Sequence, residues 1–165
     1  ASNRCTTLVH IANGYLYGGQ PQQALAVLED VQPPEKALEM RGLVAGNKAT
    51  CFLAAGEMDR AQTAMDELRR IAADRSCKKE FVQKARHTLG YLQLCMDIAR
   101  GRHADVGALQ KDFESSRAPL HRLDVQYRIA LALRHRGDRT GMEKSREYLL
   151  ENSGGTCYGE LARAL

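Results

Sequence analysis

Four glycine-centred breaks, "GGQPQQA", "AGEMDRA", "RGRHADV" and "RGDRTGM", interrupt a chain otherwise crowded with helix formers, and their defining glycines are Gly19, Gly56, Gly101 and Gly137. Glycine enters the left-handed backbone region that ends a helix at little cost, so each break reads as a turn between two helices. The intervals between them are 37, 45 and 36 residues. A helix, a turn and a second helix fill such an interval, and recurrence near this period is the mark of a helical-hairpin array.

Composition agrees. Aromatic residues make up only 5% and Trp is absent, while Ala, Leu, Arg and Glu abound. These are strong helix formers. Val and Ile are scattered and never alternate with polar residues over a strand's length, so the expected class is all-α. The 165 residues suffice for one domain with its own core.

Between the breaks, apolar residues recur at three- and four-residue steps. Leu8, Ile11, Ala12 and Tyr15 form the first such stripe, and Ala24, Leu25, Leu28 and Val31 the second, with Pro21 placed for the first turn of its helix. A third helix is expected from about 35 to 55 and a fourth from about 58 to 74. Ser76 reads as the N-cap of a long fifth helix carrying Phe81, Ala85, Leu89, Leu92, Met96 and Ala99. A shorter helix with Val106, Leu109 and Phe113 follows, then one over 120–136, one over 142–151 and a short tail. About nine helices result, paired as hairpins over 5–31, 35–74, 78–115 and 119–151, with a capping helix over 156–165.

At Leu8, Ile11, Ala12, Tyr15, Ala24 and Leu28, and again at Ala49, Phe52, Gly56, Ala61 and Met65, the pattern resembles the tetratricopeptide repeat. Small residues at positions eight and twenty let two helices approach closely, and a bulky residue at position eleven fills the gap to the neighbouring hairpin. Lys48 departs from the pattern at position seven. The last two copies are degenerate: Asp97 stands where an aromatic belongs, and Met142 where alanine does. Three inserted residues in the last turn would bring Ser145 to the small position instead.

The resemblance implies an α-α superhelix of antiparallel hairpins that binds a protein or peptide in the groove lined by the first helix of each pair. Its groove positions fall on Thr6, Val9, Asn13, Leu16 and Tyr17 in the first repeat, on Leu43, Gly46, Thr50, Leu53 and Ala54 in the second, and on Asp124, Tyr127, Leu131, Arg134 and His135 in the last. Asn13 and Asn47 match the two amides of the carboxylate-gripping variant of the family. Its basic residues are missing, since Val9, Thr88 and Leu92 occupy their places. The groove so defined suits a hydrophobic or helical ligand better than an acidic tail. A self-associating helical domain is the alternative. The ending "ENSGGTCYGELARAL" is similar to tetratricopeptide-like cytoplasmic tails of some bacterial membrane proteins, which with the start "ASNRC" suggests a piece of something longer.

Other functions find less support. The formal charge is +4, with nine Lys/Arg against six Asp/Glu over 117–165. Arg117, Arg122, Arg128, Arg134, Arg136, Arg139 and Arg146 form that basic cluster, yet acids are interleaved and aromatics for stacking bases are not, so nucleic acid is not favoured. His10, His87, His103, His121 and His135 include no pair at metal-ligand spacing, and no phosphate loop or nucleophile elbow occurs. No cofactor, metal or catalytic residue is expected. Five scattered cysteines without a Cys-x-x-Cys pair read as reduced thiols in a cytoplasmic setting. No apolar run is long enough to span a bilayer.

Overall fold

The computed structural model describes residues 2–165. Among these the chain is all-α, with nine helices and no strand: α1 Ser2–Tyr17, α2 Pro21–Glu29, α3 Leu38–Ala54, α4 Met58–Ala72, α5 Lys79–Ala99, α6 Val106–Ser115, α7 Pro119–His135, α8 Arg139–Asn152 and α9 Tyr158–Arg163. None is long and apolar enough to cross a membrane. The chain divides into two compact units, Ala1–Gln93 and Leu94–Leu165, and the boundary falls inside α5.

The four sequence breaks share one local structure. Gly19, Gly56, Gly101 and Gly137 have φ of 78°, 77°, 67° and 75°. At Gly56, its own N–H donates to the Leu53 carbonyl (3.2 Å), and the next N–H, of Glu57, reaches back to Phe52 (2.8 Å). This is the Schellman pair, which satisfies carbonyls that a helix end leaves open. The same two bonds recur at Gly19 to Leu16 with Gln20 to Tyr15, at Gly101 to Ile98 with Arg102 to Asp97, and at Gly137 to Arg134 with Asp138 to Leu133.

In the first unit α1 packs on α2, α3 on α4, and α1 and α2 also meet α3. Ala12, Ala24, Ala49 and Ala61 are fully buried, whereas Ile11 and Tyr15, expected in the first apolar stripe, are exposed. Ala45, Leu68 and Ala85 form a core cluster with Phe81, Leu89 and Ala72 at its edge, which seats the first half of α5 on α3 and α4. In the second unit α6 packs on α7, α7 on α8, and α9 closes against both α7 and α8. Leu109, Val125, Ala130 and Leu149 are fully buried there.

Three local expectations need correction. The third helix begins at Leu38, not near residue 35, because the Ala37 N–H bonds to the Pro34 carbonyl (2.8 Å) and closes a turn first. Ser76 does not cap α5. Its N–H and hydroxyl both donate to Asp74 Oδ1 (2.8 and 2.6 Å), and the N–H of Lys78 at the start of α5 is taken by Glu39 Oε1 of α3 (3.1 Å). The inserted residues lie in the third break, not the fourth. Gln20, Glu57 and Asp138 each stand alone between their glycine and the next helix, whereas Arg102 to Asp105 fill that gap after Gly101. Accordingly α8 starts at Arg139 with Asp138 as its N-cap, accepting from the Gly141 N–H (2.9 Å), and Met142 is buried without any shift.

Candidate functional site

The first unit contains a groove between α3 and α5, of about 450 Å³. Two glycines of α3 line it. A Cβ on Gly42 would strike the Phe81 ring, and one on Gly46 would stand 3.5 Å from Leu68 and 3.7 Å from Thr88. Bare backbone at Gly42 therefore lets the Phe81 ring of α5 come close, while at Gly46 there is room for a methyl group in ordinary contact. Met40 and Leu43 supply further apolar wall, and Leu43 is 42% exposed.

Polar groups rim the trough. Asn47 donates one amide N–H to the Leu43 carbonyl (2.8 Å), and Thr50 donates its hydroxyl to Gly46 (3.0 Å). Both bonds run back one helical turn, which holds each side chain at a fixed angle and leaves the Asn47 carbonyl oxygen to accept from a ligand. Lys84 and Glu39 add one charge of each sign. Glu39 already accepts from the Lys78 N–H, so it is committed to the entrance of α5.

The expected groove residues distribute unevenly. Asn47 and Thr50, with Leu43 and Gly46, line the trough. Leu53 is buried at 7% exposure and Val9 and Leu16 at 4% and 8%, so these three belong to the core and offer a ligand little surface. They fall inside because the apolar stripe of an amphipathic helix is broad enough to take in their register positions. Asn13 and Tyr17 are half-buried on α1 and do not line the α3–α5 trough. Phe81, Lys84 and Ala85 of α5, which share one face of that helix with Thr88, are the lining residues that sequence reasoning did not place in a groove. Their helical spacing was the available signal.

In the second unit, Tyr127 and Leu131 are half-buried and Arg134 is exposed. The Tyr127 ring lies 6.1 Å from that of Tyr158, and burial, ahead of the neighbouring charges, pushes its phenol pKa up. Most of the basic cluster has structural employment. Arg122 stacks on Phe113 (3.9 Å to the ring centre) and donates to the Phe113 carbonyl (2.9 Å), closing the end of α6. Arg128 pairs with Asp124 (3.3 Å), and Arg146 donates to the Ala162 carbonyl (3.0 Å), tying α8 to α9. His121 sits 3.1 Å from Asp112.

Two of the thiols are disfavoured as thiolates. Cys51 is buried on α3, and desolvation pushes its pKa up to about 12. Cys77 is raised as well, by burial first and then by Asp74 and Glu39. Both shifts disfavour the thiolate a nucleophile needs. Comparison with protein-family models, with curated proteins and with solved structures returns no match to this chain.

Proposed function

We propose that the chain carries tetratricopeptide-like hairpin repeats and that its first unit binds a protein or peptide segment in the α3–α5 trough. The observation that carries the binding reading is the trough itself, an apolar floor of Leu43, Leu68, Phe81 and Ala85 bordered by the polar groups of Asn47 and Thr50. Such a combination takes an apolar side chain in the centre and backbone amides at the edge. The hairpin-repeat reading is supported by the four identical glycine caps and the buried alanines beside them.

Selection of binders from a displayed library of random 16-residue peptides against the full chain tests this. Leu43→Glu places a charge in the trough at an exposed position, so the fold survives and circular dichroism stays unchanged. Selected peptides are expected to lose at least about tenfold in affinity for this variant, equivalent to about 1.4 kcal/mol. Equal affinity for both proteins removes the trough as the binding site.

One observation favours self-association as the second reading. Ile11 and Tyr15 lie one turn apart on α1 and are 45% and 40% exposed, an apolar pair facing solvent. A dimer seen by light scattering at micromolar concentration, and abolished by Ile11→Lys with Tyr15→Lys, would support it. A monomer returns the assignment to the trough.

A further inference from the structure

The longer third turn does something the other three do not. Its extra residues lie alongside the end of α7, and Arg136 Nη2 donates both to His103 Nε2 (2.9 Å) and to the Ala104 carbonyl. A guanidinium has no acceptor, so His103 Nε2 is the accepting atom of this contact. Between the two turns lies a cleft of about 200 Å³ whose polar walls are Arg102, His103, His135 and Arg136.

The charge around the cleft is one-sided. Residues 100–105 and 134–139 together hold five arginines and two histidines against two aspartates. Those aspartates are occupied as helix N-caps, Asp105 accepting from the Ala108 N–H (3.1 Å) and Asp138 from the Gly141 N–H (2.9 Å). Asp97 stands 3.7 Å from Arg102, which remains 63% exposed. Capping of helix carbonyls explains basic residues at the ends of α5 and α7. It does not account for Arg136, whose carbonyl partner Ala104 lies in the turn and not at a helix end. Nor does it account for Arg102 and His135, which are exposed and line the same cleft from two different turns.

We propose that this cleft is a site for a phosphoryl group, as free phosphate or as a small phosphomonoester. Both described contacts of Arg136 use Nη2, which leaves its Nε–H and Nη1–H, on different edges of the guanidinium, each to give one bond to a ligand. Arg102, whose Nη1 stands 3.7 Å from Asp97, brings a second guanidinium to the cleft from the other turn. Single charged donors reaching the cleft from two turns suit the several oxygens of a phosphoryl group.

The test is a nuclear magnetic resonance titration of the full ¹⁵N-labelled chain at low ionic strength with inorganic phosphate, O-phosphoserine and acetate. Saturable shifts are expected at the amides of Gly101, His103 and Gly137 with phosphate or phosphoserine, weakened by added sodium chloride, and much smaller with acetate. The tighter of the two phosphates identifies the source as the free ion or the ester. Arg102→Gln combined with His135→Gln alters only exposed side chains and is expected to weaken binding by at least about tenfold, the order of a lost charge-assisted hydrogen bond. Arg117→Gln, outside the cleft, retains wild-type affinity. The proposal is overturned by non-saturable shifts, by equal response to acetate and phosphate, or by unchanged binding in the double variant.

Discussion

At the scale of single residues, the same amino acid has opposite value at different places. Gly56 sits at φ 77° with open space around it, so only backbone strain opposes a side chain there. Gly56→Ala is expected to destabilise the chain by about 1–2 kcal/mol, the cost of a left-handed non-glycine residue. Gly90 lies in the middle of α5, exposed, with nothing near the place a Cβ would take. Gly90→Ala should stabilise by about 0.5–1 kcal/mol through helix propensity. Urea denaturation of the two variants checks both signs, and a shift in the same direction for both contradicts the assignment.

Titration behaviour belongs to this scale too. Glu57 accepts from Gln22 Nε2 (2.9 Å) and from Arg60 (2.6 Å), and these bonds, that from Gln22 first, hold its carboxyl below the usual range. A depressed folded pKa means that this contribution is present above the unfolded value and is lost as pH falls through the folded one. Gln22→Ala should therefore raise the Glu57 pKa, read from its side-chain carboxyl resonance, and lower stability above the unfolded carboxylate value, with the difference from wild type vanishing at acid pH. Cys51 behaves in the opposite sense to a reactive thiol: in a disulfide-exchange assay at pH 8 it should react only as the chain unfolds. Prompt reaction in the native state would contradict its burial.

At the scale of elements, ends were legible where the cause is local and illegible where it is tertiary. The four helix C-termini could be read because a glycine in the left-handed region leaves its own signature in the sequence. The start of α5 could not. Ser76 has the right chemistry for an N-cap, but Asp74 captures its N–H and hydroxyl, and the cap comes from Glu39, thirty-nine residues before Lys78. The same distinction governs the trough: Asn47 and Thr50 follow from the register of α3, whereas Phe81 and Lys84 require knowing that α5 lies against it. Glu39→Gln keeps an acceptor at this position and should be mild. Glu39→Ala should lower protection of the first-turn amides of α5 and cost about 0.5–2 kcal/mol, as loss of an N-cap does. Hydrogen exchange resolved at Lys78 through Val82 distinguishes the two, and equal protection in both variants would mean that Glu39 does not hold the helix end.

At the scale of the whole molecule, the charge and the helix sequence lead in different directions. The C-terminal excess of positive charge suggested a basic half, but the boundary at Gln93 leaves each unit with twelve Lys/Arg and ten Asp/Glu. What is concentrated is a patch, made by an inserted turn whose position no charge count reveals. The boundary itself has no sequence signal, because 91–99 contains neither glycine nor proline and α5 runs through it. That helix contributes Ala85 to the core of the first unit, while Cys95, Met96 and Ile98 are buried beyond the boundary. Helix formation is cooperative along such an uninterrupted segment, so melting one part raises the cost of keeping the other. Leu68→Ala in the first unit and Leu149→Ala in the second each remove a fully buried side chain, at about 2–5 kcal/mol. Both variants are expected to unfold in a single transition monitored by circular dichroism, with a lowered midpoint. Two resolved transitions in either one would show that α5 does not couple the units.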